Sequence, residues 1–287
     1  MFTSKSLKIS LYLVLLSSLS FTATAQRFGK TLKETPGIVS YTYRHSFERD
    51  IAATLDTIKG LGITNIEFSS LFGKTAIEIR KMLDERGMRC TSFGVSYLDL
   101  VNKTDEVGQN AKTLGASFVR VAWIPHDGPF TIETAQKAIK DFNAAGKTLE
   151  ETFALTFCYH NHGYEFSPYE SGTLFDFIVA NTNPAFVSFE LDILWAFHGG
   201  ADPVELLEEY GQRFKLMHVK DLRKGVEGDF TGSTSVENDV ALGTGQINVR
   251  EAIIAAKKSA IKYYYIEDES SSVNVQVPKS IKFLKSL

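Results

Sequence analysis

Apolar and polar residues follow a repeated two-part pattern along most of this chain. Short runs rich in Val, Ile, Phe and Tyr are each followed by a longer stretch with helical spacing of its apolar residues. The short runs predict eight strands, at 37–43, 65–69, 89–95, 118–122, 155–160, 186–191, 215–219 and 262–267. The longer stretches predict eight helices, at 48–60, 76–86, 103–114, 132–153, 173–180, 203–213, 249–259 and 277–287.

The order of these elements predicts an α/β fold. Eight strands alternating with eight helices fit a parallel sheet closed into a (β/α)8 barrel, the TIM-barrel architecture. Local residues support the helix ends, since Gly87 stands at a C-cap and Asp202-Pro203 combines an N-cap with a first-turn proline. We predict a single domain over residues 26–287. The glycine-rich polar stretch 221–245 breaks the rhythm and predicts a long loop over the barrel mouth.

The first 25 residues have a different character. Lys5 and Lys8 precede an apolar run over 9–19, and Ala23-Thr24-Ala25 follows at the spacing of a cleavage site. This pattern is typical of a secretory signal peptide, and the run is shorter than the roughly 20 apolar residues that a membrane span needs. We therefore expect an exported protein, periplasmic or secreted, that begins near Gln26 and has no membrane segment after cleavage. A retained membrane anchor is the alternative.

Charge and cysteine content narrow the class of partner. The formal net charge is −3, and the basic residues are scattered among acidic ones, which disfavours binding to nucleic-acid phosphates. The two cysteines, Cys90 and Cys158, both lie in predicted strands. We expect buried, reduced thiols, with a disulfide between them as the alternative. A homo-oligomer is compatible with this composition.

Acidic residues and histidines collect at the ends of the last four predicted strands. His160 and His162 close the fifth strand, Asp192 follows the sixth, and His218 and Glu267 lie at the ends of the seventh and eighth. In a barrel the carboxyl ends of the strands converge on one pocket, where enzymes of this architecture place their active sites. Taken alone, the histidines are equally well explained as hydrogen-bonded structural residues, and a lone carboxylate at a strand end is more often a helix cap or an ion-pair partner. Together they predict a metal or acid–base centre.

Four segments carry a more specific resemblance: YHNHGYEF at 159–166, FELDILWAFHGGADPVELLEEYGQRFKLMHVKD at 189–221, GTGQINV at 243–249 and YYIEDE at 264–269. They resemble the signature blocks of the sugar phosphate isomerase/epimerase family of xylose-isomerase-like TIM barrels. The resemblance implies a divalent metal, Mn²⁺ or else Mg²⁺, Co²⁺ or Zn²⁺, and a carbohydrate substrate. It also implies Asp192, His218 and Glu267 as metal ligands.

The fourth ligand is open between two residues. Many relatives have a glutamate at the end of the fifth strand, where this chain has His160, and Glu165 follows five residues later. We favour Glu165, reaching back to the metal, with coordination by His160 itself as the alternative.

The predicted metal centre suggests, as a hypothesis, a mechanism of proton removal next to a sugar carbonyl. The metal would hold the carbonyl and hydroxyl oxygens of a sugar while a base removes the proton next to the carbonyl. His160 and His162 are candidates for proton transfer, and Lys220 for stabilising the oxyanion. The residues predicted to bind substrate are Tyr41, Glu67, Trp123, Trp195 and Glu269.

The expected export bears on the substrate. Sugar phosphates are mainly cytosolic, and the predicted mouth has neither a glycine-rich phosphate cradle nor an arginine cluster, so we expect an unphosphorylated sugar or a keto-sugar. Two alternatives are a metal-dependent lyase or dehydratase acting on a keto-glycoside and a catalytically silent carbohydrate-binding barrel. A nuclease would need a basic DNA-binding face and further metal ligands.

Overall fold

The predicted barrel is present in the computed structural model, which describes residue 32 and residues 35–287. Its parallel strands are β1 Gly37–Val39, β2 Asn65–Phe68, β3 Arg89–Gly94, β4 Phe118–Val121, β5 Thr156–His160, β6 Val187–Asp192, β7 Phe214–Val219 and β8 Tyr263–Ile266. Each strand pairs with its neighbours in sequence, and β1 closes the ring by pairing with β8. This confirms the predicted (β/α)8 architecture.

Helices connect the strands and cover the outside of the barrel. They are α1 Arg44–Arg49, α2 Ile51–Gly60, α3 Ala76–Arg86, α4 Tyr97–Asn102, α5 Thr104–Leu114, α6 Ile132–Phe153, α7 Leu174–Asn181, α8 Ile193–His198, α9 Pro203–Tyr210, α10 Val249–Ala256 and α11 Val273–Lys285. Their apolar faces pack on the outer face of the sheet and form the main hydrophobic core.

A smaller apolar cluster lies on the inner side of four strands. It consists of Phe118, Cys158, Leu216 and Tyr265. Because side chains alternate along a strand, the residue two positions further along each of these strands also points into the barrel, nearer its carboxyl end. Those residues are Arg120, His160, His218 and Glu267. Strand alternation therefore delivers charged and imidazole side chains to one end of the barrel.

Two predicted elements differ near the start of the barrel. The strand predicted over 37–43 ends at Val39, and the chain continues as the 3-10 helix Ser40–Tyr43. The helix predicted over 48–60 is broken at Asp50, whose backbone is extended (φ −157°) and whose side chain accepts a hydrogen bond from the Ala53 N–H at 3.0 Å. Asp50 thus ends α1 and caps α2.

The long loop after β7 is anchored by a buried carboxylate. Asp221 accepts hydrogen bonds from the backbone N–H groups of Leu222, Gly243, Gly245 and Ile247 at 2.8–3.1 Å. A Cβ at Gly245 would lie 2.2 Å from Asp221 Oδ1, so this approach requires glycine. The anchor brings the two ends of the loop together beside the barrel mouth.

The remaining expectations concern the cysteines and the N-terminus. Cys90 and Cys158 are free and buried, as predicted. The expected signal peptide over residues 1–25 lies outside the described residues. Across residues 35–287, no helix has the length and apolar content that crossing a bilayer would need.

Candidate metal centre and active site

Four side chains from successive strands converge at the carboxyl end of the barrel. They come from His160, Asp192, His218 and Glu267, each of which offers one ligand atom, and these atoms all lie within 4.8 Å of one another. All four residues are buried, and the Nδ1 atom of His160 has no hydrogen-bond partner in the described structure. Two imidazoles and two carboxylates suit Mn²⁺ or Zn²⁺, so these residues could hold a divalent cation.

Asp192 has a structural function as well as a place in this cluster. Its Oδ1 atom accepts a hydrogen bond from the Trp195 N–H at 2.9 Å and caps α8, while Oδ2 lies 3.2 Å from His160 Nε2. The side chain of Asn161 exchanges two hydrogen bonds with the Asp192 backbone, at 2.9 and 3.0 Å. The cap and the amide pair together fix the carboxylate orientation.

His218 is held from both sides of its ring. Nδ1 lies 2.8 Å from Glu267 Oε2, and Nε2 lies 2.9 Å from Glu67 Oε1. Arg120 donates to the same oxygen of Glu67 from Nη2 at 2.6 Å. A histidine ligand commonly donates its second N–H to a carboxylate, which fixes its tautomer. Glu67 is in that position behind His218.

The electrostatics of this cluster favour a cation. Burial lowers the pKa of His218, but the carboxylates of Glu190 and Glu267 outweigh it and raise that pKa well above its ordinary value. Burial raises the pKa of Glu267, but the positive charges of Lys220 and His218 outweigh burial and lower that pKa below its ordinary value. The site therefore attracts positive charge, which either a proton on His218 or a metal ion can supply.

A second group of close donors consists of Glu67, Glu190 and His218. Arg120 lies against both carboxylates, with Nε 3.4 Å from Glu190 Oε2, and already supplies positive charge there. Burial, followed by the neighbouring charge of Glu67, raises the pKa of Glu190 well above its ordinary value. The first group is therefore the better candidate for a divalent cation.

A cavity of about 370 Å³ opens above the cluster. Its wall includes five of the predicted catalytic and substrate-binding residues, namely Tyr41, His160, His162, Trp195 and Glu269, together with the predicted ligands His218 and Glu267. Residues 232–234 and 236, from the loop after β7, complete the wall. The loop predicted from glycine content does contribute to the mouth.

His162 is held in one orientation by its surroundings. Its Nδ1 lies 2.8 Å from the carbonyl oxygen of Gly232, and its ring stacks on Trp195 with centroids 4.4 Å apart. A carbonyl oxygen only accepts, so Nδ1 carries the hydrogen and Nε2 is left with the lone pair. Burial lowers the pKa of His162 to about 3, which keeps the ring neutral.

Lys220 lies behind the cavity wall and is buried. Its ammonium donates to Glu269 Oε1 at 2.7 Å, lies 3.4 Å from Glu267 Oε2, and is 5.5 Å from the centre of the Trp195 ring. The backbone N–H of Glu269 in turn donates to Asp239 Oδ2 at 2.9 Å. Lys220 is thus fixed between a predicted ligand and a cavity-lining carboxylate.

Glu165, the favoured fourth ligand, is not brought into the cluster. Its carboxylate accepts hydrogen bonds from the Tyr159 hydroxyl and from the His162 N–H, the latter at 2.9 Å. Tyr159 packs against Phe142 of α6, on the helix side of β5, whereas His160 points into the barrel. Glu165 therefore lies in the 3-10 turn Tyr164–Phe166 beyond β5, apart from the cluster, whereas the alternative residue His160 is one of the four clustered side chains.

Two predicted substrate-binding residues lie outside the cavity wall. Glu67 is fully buried beneath His218, where it contacts protein groups. Trp123 is 39% exposed and packs edge-on against His162, so it lies beside the cavity. Arg120 and Asn161 also contribute to the site and were not among the residues predicted from the sequence. Arg120 stands two residues after Phe118 in β4, and this spacing was the available signal for an inward-facing side chain.

Comparison with known proteins agrees with this architecture. Among curated proteins, the inosose dehydratase of Geobacillus kaustophilus (strain HTA426) is 24% identical over 194 residues, or 60% of this chain and 62% of the dehydratase. The chain thus matches less than two thirds of that relative's length.

Solved structures are similar over more of the chain. A sugar phosphate isomerase/epimerase from Parabacteroides distasonis ATCC 8503 has a TM-score of 0.72 at 24% identity, covering 88% of this chain and 96% of that one. The 3-keto-D-glucoside 4-epimerase from E. coli has a TM-score of 0.61 at 12% identity, and the match covers 89% of this chain and 100% of the epimerase. A model of the xylose isomerase-like TIM barrel family matches residues 55–287, and this chain belongs to that family.

Proposed function

We propose that this protein is a divalent-metal-dependent sugar isomerase or epimerase acting on an unphosphorylated sugar or keto-sugar. The observation that carries the proposal is the convergence of His160, Asp192, His218 and Glu267 beneath one cavity at the carboxyl end of the barrel. Family membership and the sugar isomerase/epimerase among the similar structures support a carbohydrate substrate.

Those four residues would hold the cation, with Mn²⁺ our first choice and Zn²⁺, Mg²⁺ or Co²⁺ as further candidates. A divalent cation bound there supplies Lewis acidity, which polarises a sugar carbonyl and acidifies the C–H bond next to it. The protein's contribution is to hold the sugar, move the proton and stabilise developing negative charge.

His162 is our candidate for the base. The hydrogen bond from Nδ1 to Gly232 leaves Nε2 as a proton acceptor on a ring that lines the cavity. Because Trp195 stacks on the ring, the imidazole is oriented before substrate arrives. Protonation of the opposite face by a proton from solvent gives epimerisation, and return of the proton from His162 to the neighbouring carbon gives isomerisation.

Lys220 and Glu269 are our candidates for handling the sugar oxygens. Glu269 lines the cavity and can accept hydrogen bonds from hydroxyl groups, while Lys220 holds its carboxylate in place. The buried ammonium also contributes a fixed positive charge near the reacting centre, where negative charge develops on oxygen.

An uncharged substrate suits the cavity best. Among the described cavity-lining residues, Arg120 supplies the one guanidinium group, and that group is already hydrogen-bonded to Glu67. A phosphate group would find no unpaired arginine in that wall. A free sugar or keto-sugar also fits the export expected from residues 1–25.

A metal-dependent lyase is the second candidate, and the similarity to an inosose dehydratase favours it. Elimination begins with the same removal of a proton next to a carbonyl and differs in the loss of a β-oxygen. The two reactions therefore need the same metal centre and the same base, and their products separate them.

One experiment tests the proposal. The metal-loaded protein is incubated in D₂O with a panel of free ketoses and 3-keto-glucosides, and mass and deuterium uptake are followed. Metal-dependent deuterium uptake at unchanged carbon skeleton supports the isomerase or epimerase, whereas an unsaturated or cleaved product supports the lyase. Metal binding without either change in any sugar of the panel would contradict both and leave the silent-barrel alternative. The matched control is Asp192→Ala, which should lose both metal and turnover.

A further inference from the structure

A second cavity opens on the same face of the barrel, beside the candidate active site. Its volume is about 390 Å³, and it lies over the ends of β2 and β3, against α5. Ser69 lines both this cavity and the one above the metal cluster, so the two are neighbours at this residue. Ser69 is held at the junction because its N–H donates to Ser40 Oγ at 2.8 Å. We call this second cavity the β2–β3 cavity.

The wall of the β2–β3 cavity has the chemistry of a carbohydrate site. Its apolar part is formed by Leu71, Phe93, Val95 and Val107, and its neutral polar part by Ser69, Ser70, Ser96 and Asn110. Sugars present apolar C–H faces between hydroxyl groups, and a wall of mixed character matches both.

The net charge of this wall disfavours an anionic ligand. Asp99 and Lys103 form an ion pair at 3.1 Å, which cancels their charges, and Glu106 adds one further negative charge. A phosphate or carboxylate would be repelled by that excess, whereas a neutral hydroxylated ring would not.

We propose that the β2–β3 cavity binds the second sugar ring of a glycoside whose first ring lies over the metal cluster. This inference rests on the proposed function and narrows its substrate from a single sugar to a disaccharide or similar glycoside. Each cavity lies within the range of roughly 300–1,000 Å³ typical of small-molecule sites. Because the two cavities share Ser69 as a lining residue, each is available for one ring of the same glycoside.

Helix α5 supplies a matched pair of variants. Glu106, Val107 and Asn110 recur at helical spacing along the face that lines the cavity, and Lys103 precedes them at the N-cap. Gln109 is exposed on the same helix and does not line it. Asn110→Trp would therefore fill the cavity, whereas Gln109→Trp adds the same ring outside it. Ser70→Trp, from an exposed residue on the β2 side, fills the cavity independently of α5.

The test is isothermal titration of the full, metal-loaded protein with two probes, 3-keto-cellobiose and 3-keto-glucose. We expect the wild type to bind the disaccharide about ten-fold more tightly than the monosaccharide. Asn110→Trp and Ser70→Trp should remove most of that advantage and leave the affinity for 3-keto-glucose unchanged, and Gln109→Trp should leave both affinities unchanged. Metal stoichiometry and circular dichroism check that each variant is folded, and either cavity-filling variant suffices.

Two results would overturn the proposal. Equal affinity of the wild type for the two probes would show that the second ring contributes no binding energy. If the folded cavity-filling variants still bound the disaccharide more tightly than the monosaccharide by the wild-type factor, the second ring would lie elsewhere. Deuterium exchange separates this failure from failure of the proposed function. If 3-keto-glucose exchanges its proton with metal present, the function stands and the subsite alone is refuted, whereas no exchange and no binding of either probe refutes both.

Discussion

Replacement of Glu67 with glutamine tests how the candidate metal centre is held. Glu67 Oε1 lies 2.9 Å from His218 Nε2 and accepts a hydrogen bond from Arg120 Nη2 at 2.6 Å. If His218 binds the cation through Nδ1, its Nε2–H donates to Glu67, and the carboxylate fixes both the ring and its tautomer. Glutamine has nearly the same shape but no charge, so it would weaken this support and leave the packing intact.

The expected effect is a loss of metal affinity without a loss of fold. Removing an outer carboxylate behind a histidine ligand typically weakens metal binding about 10- to 100-fold, which corresponds to about 1.4–2.8 kcal/mol. Arg120 retains a carboxylate partner in this variant, because its Nε lies 3.4 Å from Glu190 Oε2. We therefore expect Glu67→Gln to remain folded.

The assay is a competition titration of Mn²⁺ against a chromophoric chelator at fixed pH. Glu165→Gln is the matched control, because Glu165 is an equally buried carboxylate that contacts Tyr159 and His162 but not the metal cluster. The control should bind Mn²⁺ like the wild type. Wild-type affinity in Glu67→Gln, with circular dichroism unchanged, would refute the support given to His218 by Glu67.

Three further predictions address the ligands and the base. His160→Ala should lose stoichiometric metal, measured by elemental analysis after gel filtration, because the imidazole is one of four converging ligands; full retention would return the fourth position to Glu165. Metal affinity should rise with pH, because the cation must displace a proton from His218. Burial lowers the pKa of His218, but the carboxylates of Glu190 and Glu267 outweigh burial and raise it. Calorimetry in two buffers of different ionisation enthalpy should detect that proton, and pH-independent binding without proton release would contradict the assignment. His162→Phe keeps a ring against Trp195, so it should retain metal while deuterium exchange falls about 10²- to 10⁴-fold; unchanged exchange would exclude His162 as the base.

The barrel could be predicted from the sequence because its signals are local. Buried strands and amphipathic helices each have their own spacing, and eight repeats of the pair leave few other closed arrangements. The break at Asp50 was harder to predict, since the apolar spacing of 48–60 continues across it and only the capping side chain marks the boundary. Local spacing thus predicts the presence of each helix and strand more reliably than it predicts where each one begins and ends.

The candidate site was only partly predictable, because it depends on which face of a strand each side chain occupies. His160, His218 and Glu267 follow from alternation along β5, β7 and the end of β8. Glu165 lies beyond the end of β5, where the chain turns at Gly163 (φ 99°), and alternation no longer predicts its direction. A lone arginine in a strand, such as Arg120, usually indicates a solvent-facing position, and its two buried carboxylate partners are distant in sequence.

We propose that β5 to β8 deliver four side chains to one divalent cation. Anomalous diffraction from crystals grown with Mn²⁺, collected at the manganese edge, measures this directly. We expect one strong peak within bonding distance of His160, Asp192, His218 and Glu267. A peak coordinated by Glu165 in place of His160, or no peak among these four residues, would contradict it.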